Sequence, residues 1–112
     1  MTDNAAQINN RQDKNDDREG EAREELINMY NRTIEAVNLA IDCYSNKDNE
    51  EAKKIKEIED DIDRYEKTLR NNNIKRLNKK ICCASASTIF LDIISNLERI
   101  GDHSTNIVES IV

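Results

Sequence analysis

The sequence has 112 residues, which is enough for a single domain with a modest core. Its net charge of −6 and its pI near 4.8 argue against nucleic acid as a partner, because nucleic-acid binding needs a concentrated basic surface. It has no proline and two glycines, and 36% of its residues are charged. This composition favours long helices over sheets.

Residues 1–20 are predicted to be a disordered N-terminal leader, and residues 21–112 to be the folded domain. The run from Asn9 to Asp17 contains no apolar residue, so this segment has nothing to bury.

The cysteines and the hydropathy pattern predict a cytoplasmic protein that does not span a membrane. The three cysteines are odd in number, and the N-terminus has no secretory signal, so reduced thiols are expected. The longest apolar stretch, Ile81–Leu91, contains serine and threonine and ends at Asp92. It is too short for a membrane helix, which needs about 20 apolar residues.

Three amphipathic helices are predicted after the leader, because apolar residues recur at alternating steps of three and four. The first runs roughly from Glu21 to Tyr44, the second begins at Glu50, and the third follows a connector over residues 78–85. Asp48 or Asn49 is a candidate N-cap for the second helix, and Ser85 or Ser87 for the third. The expected buried stripes are, in order, Leu26, Tyr30, Ile34, Val37, Ile41 and Tyr44; Ile55, Ile58, Ile62, Tyr65, Leu69, Ile74, Leu77 and Ile81; and Ile89, Ile93, Leu97, Ile100, Ile107 and Ile111, widened by Phe90, Ile94 and Val108.

The predicted architecture is an all-α, up-down-up three-helix bundle. The three tyrosines, Tyr30, Tyr44 and Tyr65, have stripe spacing and are expected in the core. The asparagines at 71–73 are poor helix formers, so a kink or a local unwinding is expected there.

Two pairs of acids are candidate metal ligands: Glu59 with Asp63, and Glu98 with Asp102. Each pair is four residues apart, so its members project from one helical face beside an apolar stripe. Such acids repel each other unless a cation lies between them. Their oxygen ligands suit Mg²⁺, Mn²⁺, Ca²⁺ or carboxylate-bridged iron. The alternative is a solvated surface.

Further residues near these pairs either support a site or serve as a comparison. Glu66 and Glu109 lie near the same faces. Gly101 costs about 1 kcal/mol in mid-helix, which indicates close approach by another helix or by a bound species. Two other pairs with the same spacing are expected to be solvated surface: Asp13 with Asp17, and Glu57 with Asp61.

The remaining polar side chains predict no catalytic site. His103 is expected to pack at the edge of the seam or to donate a hydrogen bond rather than to bind metal, and Arg99 is expected to be a solvated charge. The sequence contains no recognisable combination of a nucleophile, a base and an orienting group, and it has no glycine-rich phosphate loop. An enzyme is therefore not expected.

The string from Ile89 to His103, followed by Asn106–Glu109, resembles the signature helix of PhoU-type domains. The segment Ile58–Glu66 is similar to the other motif of that family, and the resemblance covers about residues 24–112. The stretch Ile89–Ile94 is closest to the PhoU-like tails of bacterial sodium/phosphate cotransporters.

The resemblance implies a function in phosphate homeostasis. PhoU proteins are two-repeat, six-helix bundles that regulate phosphate uptake and signalling negatively, and they contact the phosphate transporter and its sensor kinase at the inner face of the membrane. Family members bind metal clusters through an acid-x-x-x-Asp motif in each repeat. Carried over, this implies an iron, manganese, magnesium or zinc cluster at Glu59, Asp63, Glu98 and Asp102.

The sequence contains only one such three-helix repeat. A single repeat is either stable alone or recovers its second half by forming a homodimer. The expected function is therefore a non-enzymatic, metal-supported regulator that contacts the membrane peripherally. Two alternatives stay open: the detached cytoplasmic tail of a sodium/phosphate cotransporter acting in cis, and a metal-free structural bundle.

Overall fold

The computed structural model describes the backbone of residues 9–47 and 49–111, and the side chains of residues 20–47 and 49–111. Within this part the chain is helical and has no strand. The helices are α1 (Asn9–Asn46), the single turn α2 (Asn49–Ala52), α3 (Lys54–Asn78) and α4 (Ala84–Ile111). The prediction of an all-α fold with three long helices is confirmed.

The predicted leader falls largely outside the described residues. Residues 1–8 are not described, and residues 9–19 are described only as the backbone of α1, which therefore begins before the predicted start at Glu21. Ala22 and Leu26 are the first side chains that pack against the core. The domain boundary at residues 20 and 21 stays a prediction.

The helices run up, down and up, as predicted. Arg32 of α1 contacts Asp61 of α3, and Glu25 contacts Asn72, so α1 and α3 are antiparallel. Helices α3 and α4 are antiparallel too, because Asn73 bonds Ser87 at one end of the pair and Ile62 contacts Gly101 further along. Helices α1 and α4 are consequently parallel to each other.

The buried seam of α1 lies one residue away from the predicted stripe. Tyr30, Ile41 and Tyr44 are exposed, so the prediction that Tyr30 and Tyr44 belong to the core is wrong. The seam holds small side chains, which let the neighbouring helices approach closely. Its buried residues are Met29, Thr33, Ala36, Leu39, Ala40 and Cys43.

Helix α3 follows its predicted stripe in its first half and departs from it in the second. Tyr65 packs against the core, while Ile74 is exposed. The buried residues in the second half are Leu69, Asn73 and Arg76. The helix is uninterrupted at residues 71–73, so the expected unwinding is wrong.

Tertiary hydrogen bonds explain why these asparagines stay helical. Asn73 Nδ2 donates to Ser87 Oγ of α4 at 2.6 Å, and Asn72 Nδ2 donates to Glu25 Oε2 of α1 at 2.8 Å. Each bond joins α3 to a different helix, and a buried amide that is paired in this way avoids the cost of desolvation.

A buried arginine joins all three long helices near the same end. Arg76 of α3 donates to Glu25 Oε1 at 2.9 Å and to Glu21 Oε1 at 3.4 Å, both on α1. Its guanidinium carbon lies 5.2 Å from the centre of the Phe90 ring of α4. Because Arg76 is buried, these partners compensate for its loss of hydration.

The seam of α4 is also displaced by one residue from most of the predicted stripe. Leu97 is buried as expected. The residues that were predicted only to widen the stripe, Phe90, Ile94 and Val108, are its true apolar core. The predicted core residues Ile89, Ile93, Ile100 and Ile107 are exposed.

The structure tests the predicted caps only in part. Asp48 lies outside the described residues, and α3 is preceded by Lys53, which makes no side-chain capping bond. Ser85 and Ser87 both lie inside α4, which begins at Ala84, so the prediction that one of them caps this helix is wrong. Ser87 instead serves as the acceptor for Asn73.

Candidate metal centre

The candidate site depends on a close contact between α3 and α4 at Gly101. A Cβ atom at Gly101 would lie 2.9 Å from Cδ1 and 3.3 Å from Cγ2 of Ile62. Only a residue without a side chain fits this distance without displacing Ile62. The expected close approach at Gly101 is therefore an approach by another helix, and it brings the acidic faces of α3 and α4 together.

We call the resulting surface the acidic flank; it consists of Glu59, Asp63 and Glu66 of α3 and Glu98, Asp102 and Glu109 of α4. The structure brings all four predicted site residues into it. The Glu59 carboxylate experiences the charges of Asp63, Asp102 and Glu109, while Glu98 experiences those of Asp102, Asp63 and Glu66. The two pairs therefore face each other across the helix contact.

Burial and like charges act together on two of these acids. Burial is the largest factor that raises the pKa of Glu98, and the neighbouring carboxylates raise it further. Burial likewise raises the pKa of Glu59, although Lys56 acts in the opposite direction. Both side chains are half-buried, whereas Asp102 and Glu109 are exposed. The acidic flank is thus partly shielded on its inner side and open to solvent on its outer side.

Among the described residues, two cations of α3 form ion pairs with acids of the acidic flank. Lys56 Nζ lies 3.6 Å from Glu59 Oε1, and Arg70 Nε donates to Glu66 Oε2 at 2.7 Å. Sequence reasoning missed both, although their spacings of three and four residues from these acids are those of helical ion pairs. Among the side chains of residues 20–47 and 49–111, no ion pair involves Asp63, Glu98 or Asp102.

The side-chain groups of the acidic flank are of the kind that binds hard cations. All six groups are carboxylates, which are the preferred ligands of Mg²⁺, Mn²⁺ and Ca²⁺ and which also bridge iron. Burial and the neighbouring carboxylates raise the pKa values of two of them, Glu59 and Glu98. As placed, the side chains do not converge: within the described part of the chain, no three His, Cys, Asp or Glu groups are close enough to hold one ion.

For the comparison pair Glu57 and Asp61, the prediction of a solvated surface is wrong at Asp61, which is half-buried. Asp61 Oδ2 accepts hydrogen bonds from Arg32 Nη2 at 2.6 Å and from Arg32 Nε at 2.9 Å, so it joins α3 to α1. The bond from Arg32 is the main reason why the pKa of Asp61 is lowered. Glu57 is exposed. The side chains of Asp13 and Asp17 lie outside the described residues.

Two other residues singled out from the sequence lie on α4, away from the core seam. Arg99 is exposed, as expected, and its Nη1 donates to Asn96 Oδ1 at 3.3 Å. His103 is exposed too, so the expectation that it packs at the edge of the seam is wrong. Within residues 9–47 and 49–111, no helix combines the length and the hydropathy that crossing a membrane requires.

Comparison with known proteins places this bundle in a family. The PhoU domain family matches residues 26–111. The chain is 28% identical over 92 residues to the phosphate-specific transport system accessory protein PhoU homolog 1 of Thermotoga maritima, with 82% of this chain and 40% of the relative covered. It is also 28% identical over 88 residues to the PhoU homolog of Clostridium acetobutylicum, with 79% and 40% covered.

The matches cover only part of the length of each relative. The chain spans about 40% of each of the two curated relatives. No solved structure matches the sequence. The family match nevertheless covers most of α1 and all of α3 and α4, including the four predicted site residues. The chain belongs to the PhoU domain family.

Proposed function

We propose that this protein is a non-enzymatic regulator of phosphate uptake and phosphate signalling, which docks on a phosphate transporter or on its sensor kinase. Membership of the PhoU domain family supports this, as do two relatives named as accessory proteins of phosphate-specific transport systems. We place the protein in the cytoplasm, at the inner face of the membrane. We also propose that it can form a homodimer.

The observation that carries the proposal is the acidic flank. Two acid pairs from two helices face each other there, and the pKa values of Glu59 and Glu98 are raised by burial and by the opposing carboxylates. The carboxylates of such a surface repel each other, and this repulsion raises its free energy when no cation is bound. A bound cation lowers that free energy. The acidic flank therefore suits a metal ion, a basic surface on a partner, or both.

We propose Glu59, Asp63, Glu98 and Asp102 as the residues that hold the metal, which would be iron, manganese, magnesium or zinc. The bound ion would supply positive charge that neutralises the acidic flank. The protein's own contribution is to position the carboxylates: Gly101 sets the distance between the helices, while Lys56 and Arg70 compensate the charges of Glu59 and Glu66.

Metal binding is tested by thermal unfolding of chelator-treated protein during titration with MnCl₂. A ligand that binds only the folded state stabilises it by about 2.7 kcal/mol at a hundredfold excess over Kd, so the melting temperature should rise by several degrees. The Glu98→Gln/Asp102→Asn double variant should lose this rise. Asp92→Asn, an exposed acid on another face of the same helix, should retain it.

The proposed metal site is wrong if wild-type protein gains no stability from Mn²⁺, Mg²⁺, Fe²⁺ or Zn²⁺. It is also wrong if the double variant and Asp92→Asn respond alike. Either result would favour a metal-free structural bundle.

The regulatory role is tested in the host cell by deleting the gene and measuring uptake of labelled phosphate under phosphate-replete conditions. Loss of a negative regulator should increase uptake, and expression of the wild-type chain should reverse the increase. Unchanged uptake after deletion would contradict the regulatory role whether or not the metal titration succeeds.

A further inference from the structure

The charges of this acidic chain are unevenly distributed along the sequence. Residues 67–91 contain six of its 17 Lys and Arg residues and none of its 23 Asp and Glu residues. They form the second half of α3, the connector after it and the start of α4, so we call them the basic end. A local excess of positive charge raises the concentration of anions beside it. The cations of the basic end are Lys67, Arg70, Lys75, Arg76, Lys79 and Lys80.

A cavity of about 240 Å³ opens at the basic end, between α1 and the end of α3. It is lined by Glu21 of α1, by Asn72, Lys75 and Arg76 of α3, and by Lys79 and Ile81 of the connector. Three cations therefore surround a space that a small ligand can enter.

Arg76 supplies a buried positive charge to this cavity. Its side chain is 7% exposed. Its Nη2 donates to Glu25 Oε1 at 2.9 Å, whereas its Nη1 lies 3.4 Å from Oε1 of Glu21, a side chain that is 65% exposed. Charge-assisted hydrogen bonds normally measure about 2.7–2.9 Å, so the contact with Glu21 is weak. Another anion can take the place of Glu21 while Glu25 keeps its bond to Arg76.

Lys75 and Lys79 bring two further charges to the same cavity. The backbone N of Lys79 donates to the O of Lys75 at 3.0 Å, so the helical spacing holds and both side chains project from one face. Like charges four residues apart repel each other. Among the side chains of residues 20–47 and 49–111, neither lysine forms an ion pair. An anion between them would relieve this repulsion.

The backbone after α3 holds the wall of the cavity in place. Ile81 N donates to Arg76 O at 2.8 Å, and Lys80 N donates to Leu77 O at 3.0 Å. Lys80 has the left-handed conformation, with φ at 60°. These features define a Schellman motif, in which the chain turns back at the end of a helix. The motif fixes Ile81 beside Arg76, so the cavity is preformed.

We propose that this cavity binds a small phosphate compound that carries several negative charges. Guanidinium and ammonium groups are the usual protein ligands of phosphate. The three cations exceed the charge of Glu21, so a multivalent anion balances them better than a single carboxylate does. The anion takes the place of Glu21 on Arg76 Nη1 and lies beside the two lysines. The inference depends neither on metal at the acidic flank nor on a role in phosphate uptake.

Isothermal titration calorimetry of the full chain with sodium tripolyphosphate tests this site. The protein is first treated with chelator and desalted, so that no metal ion at the acidic flank can hold the anion. Wild-type protein should bind with a Kd below about 1 mM, and added salt should weaken the binding. The Lys75→Gln/Lys79→Gln variant should bind at least about tenfold more weakly, because it lacks two of the three cations.

Two further variants make this test specific. Lys53→Gln/Lys54→Gln removes the same charge from exposed sites at the start of α3, and its Kd should stay within about twofold of wild type. Glu21→Gln removes the competing carboxylate, so it should bind about two- to fivefold more tightly. Circular dichroism establishes that each variant is still helical.

The proposal is overturned if wild-type protein binds no tripolyphosphate at millimolar concentration. It is equally overturned if the two double variants lose affinity alike, or if Glu21→Gln binds more weakly than wild type. Sedimentation with phosphatidylglycerol vesicles provides the last test. Binding to vesicles that needs Lys75 and Lys79, without binding of free tripolyphosphate, would identify a lipid surface as the partner and exclude the cavity site.

Discussion

The two flanks of α4 lie on one helix and differ in almost every property. On the side towards α3, Glu98 and Asp102 meet the acids of a neighbouring helix across a tight contact at Gly101. On the side towards α1, Ile100 and Ile107 are exposed in an uncharged stripe. The apolar flank is the surface formed by the exposed apolar residues of the two helices: Tyr30, Ile41 and Tyr44 of α1 and Ile89, Ile93, Ile100 and Ile107 of α4. The core seam with Leu97 lies between the two flanks.

Each flank is unfavourable for an isolated subunit for a different physical reason. The acidic flank combines partial burial with like charge, and both effects disfavour the ionised carboxylates. The apolar flank keeps hydrophobic area in water at a cost of about 25 cal/mol per Å². The proposed cation would relieve the first of these two effects and leave the second unchanged.

We expect the largest loss of stability from a substitution that widens the contact between α3 and α4 next to the acidic flank. Gly101→Val forces a branched side chain into the space of Ile62 and should destabilise the fold by about 1–3 kcal/mol, as overpacking does. Urea unfolding measures this loss. Gly20→Val is the control, because nothing lies within 4 Å of a Cβ at Gly20. Equal stability of wild type and Gly101→Val would show that α3 and α4 do not depend on this close contact.

Removing one charge from the acidic flank should stabilise the protein when metal is absent. Because the pKa of Glu98 is raised in the folded state, the stability linked to its protonation is present below the unfolded-state pKa and is lost as pH rises through the folded-state pKa. Glu98→Gln avoids this loss. At neutral pH, with chelator, it should be more stable than wild type by up to about 1 kcal/mol.

Urea unfolding at neutral and at acidic pH measures this difference. It should vanish below the usual pKa range of glutamate, because wild-type Glu98 is then protonated in both states. Asp92→Asn on the same helix should lack the effect. A gain for Glu98→Gln that is the same at both pH values would mean that the charge of Glu98 is not its cause.

Removing a cation from the acidic flank should lower the free energy of unfolding. Arg70→Gln deletes the partner of Glu66 and increases the net negative charge between α3 and α4. A loss of about 0.5 kcal/mol is expected at low ionic strength, and added salt should reduce it. Arg23→Gln, at an exposed site on α1, is the control. A loss that does not depend on salt would point to packing by the arginine stem instead.

The smallest effect on monomer stability should come from the apolar flank. Ile89→Lys replaces a side chain that is 61% exposed, so dilute protein should unfold within about 0.5 kcal/mol of wild type. The matched change at buried Ile94 should be strongly destabilising. A large loss for Ile89→Lys under dilute conditions would mean that the apolar flank is already buried within one subunit.

Much of this organisation could be predicted from the sequence, because it depends on local periodicity. The helix count and the up-down-up order follow from apolar spacing and from the short connectors. The acid pairs follow from a spacing of four residues on a helix. The ordinary helix through residues 71–73 could not be predicted, because its stability comes from Asn73 bonding Ser87 and from Asn72 bonding Glu25, residues that are distant in the chain.

The sequence by itself determined that the chain is a set of amphipathic helices and that two acid pairs lie beside apolar stripes. Tertiary structure alone decided which stripe enters the core. Helices α1 and α4 each carry two stripes one residue apart, and a period of 3.6 does not choose between them. The stripes with small residues, Ala36 and Ala40 on α1 and Gly101 on α4, allow the closest packing and are buried. The stripe left outside on α1 is the bulkier one, with Tyr30, Ile41 and Tyr44, and on α4 it is the row of exposed isoleucines.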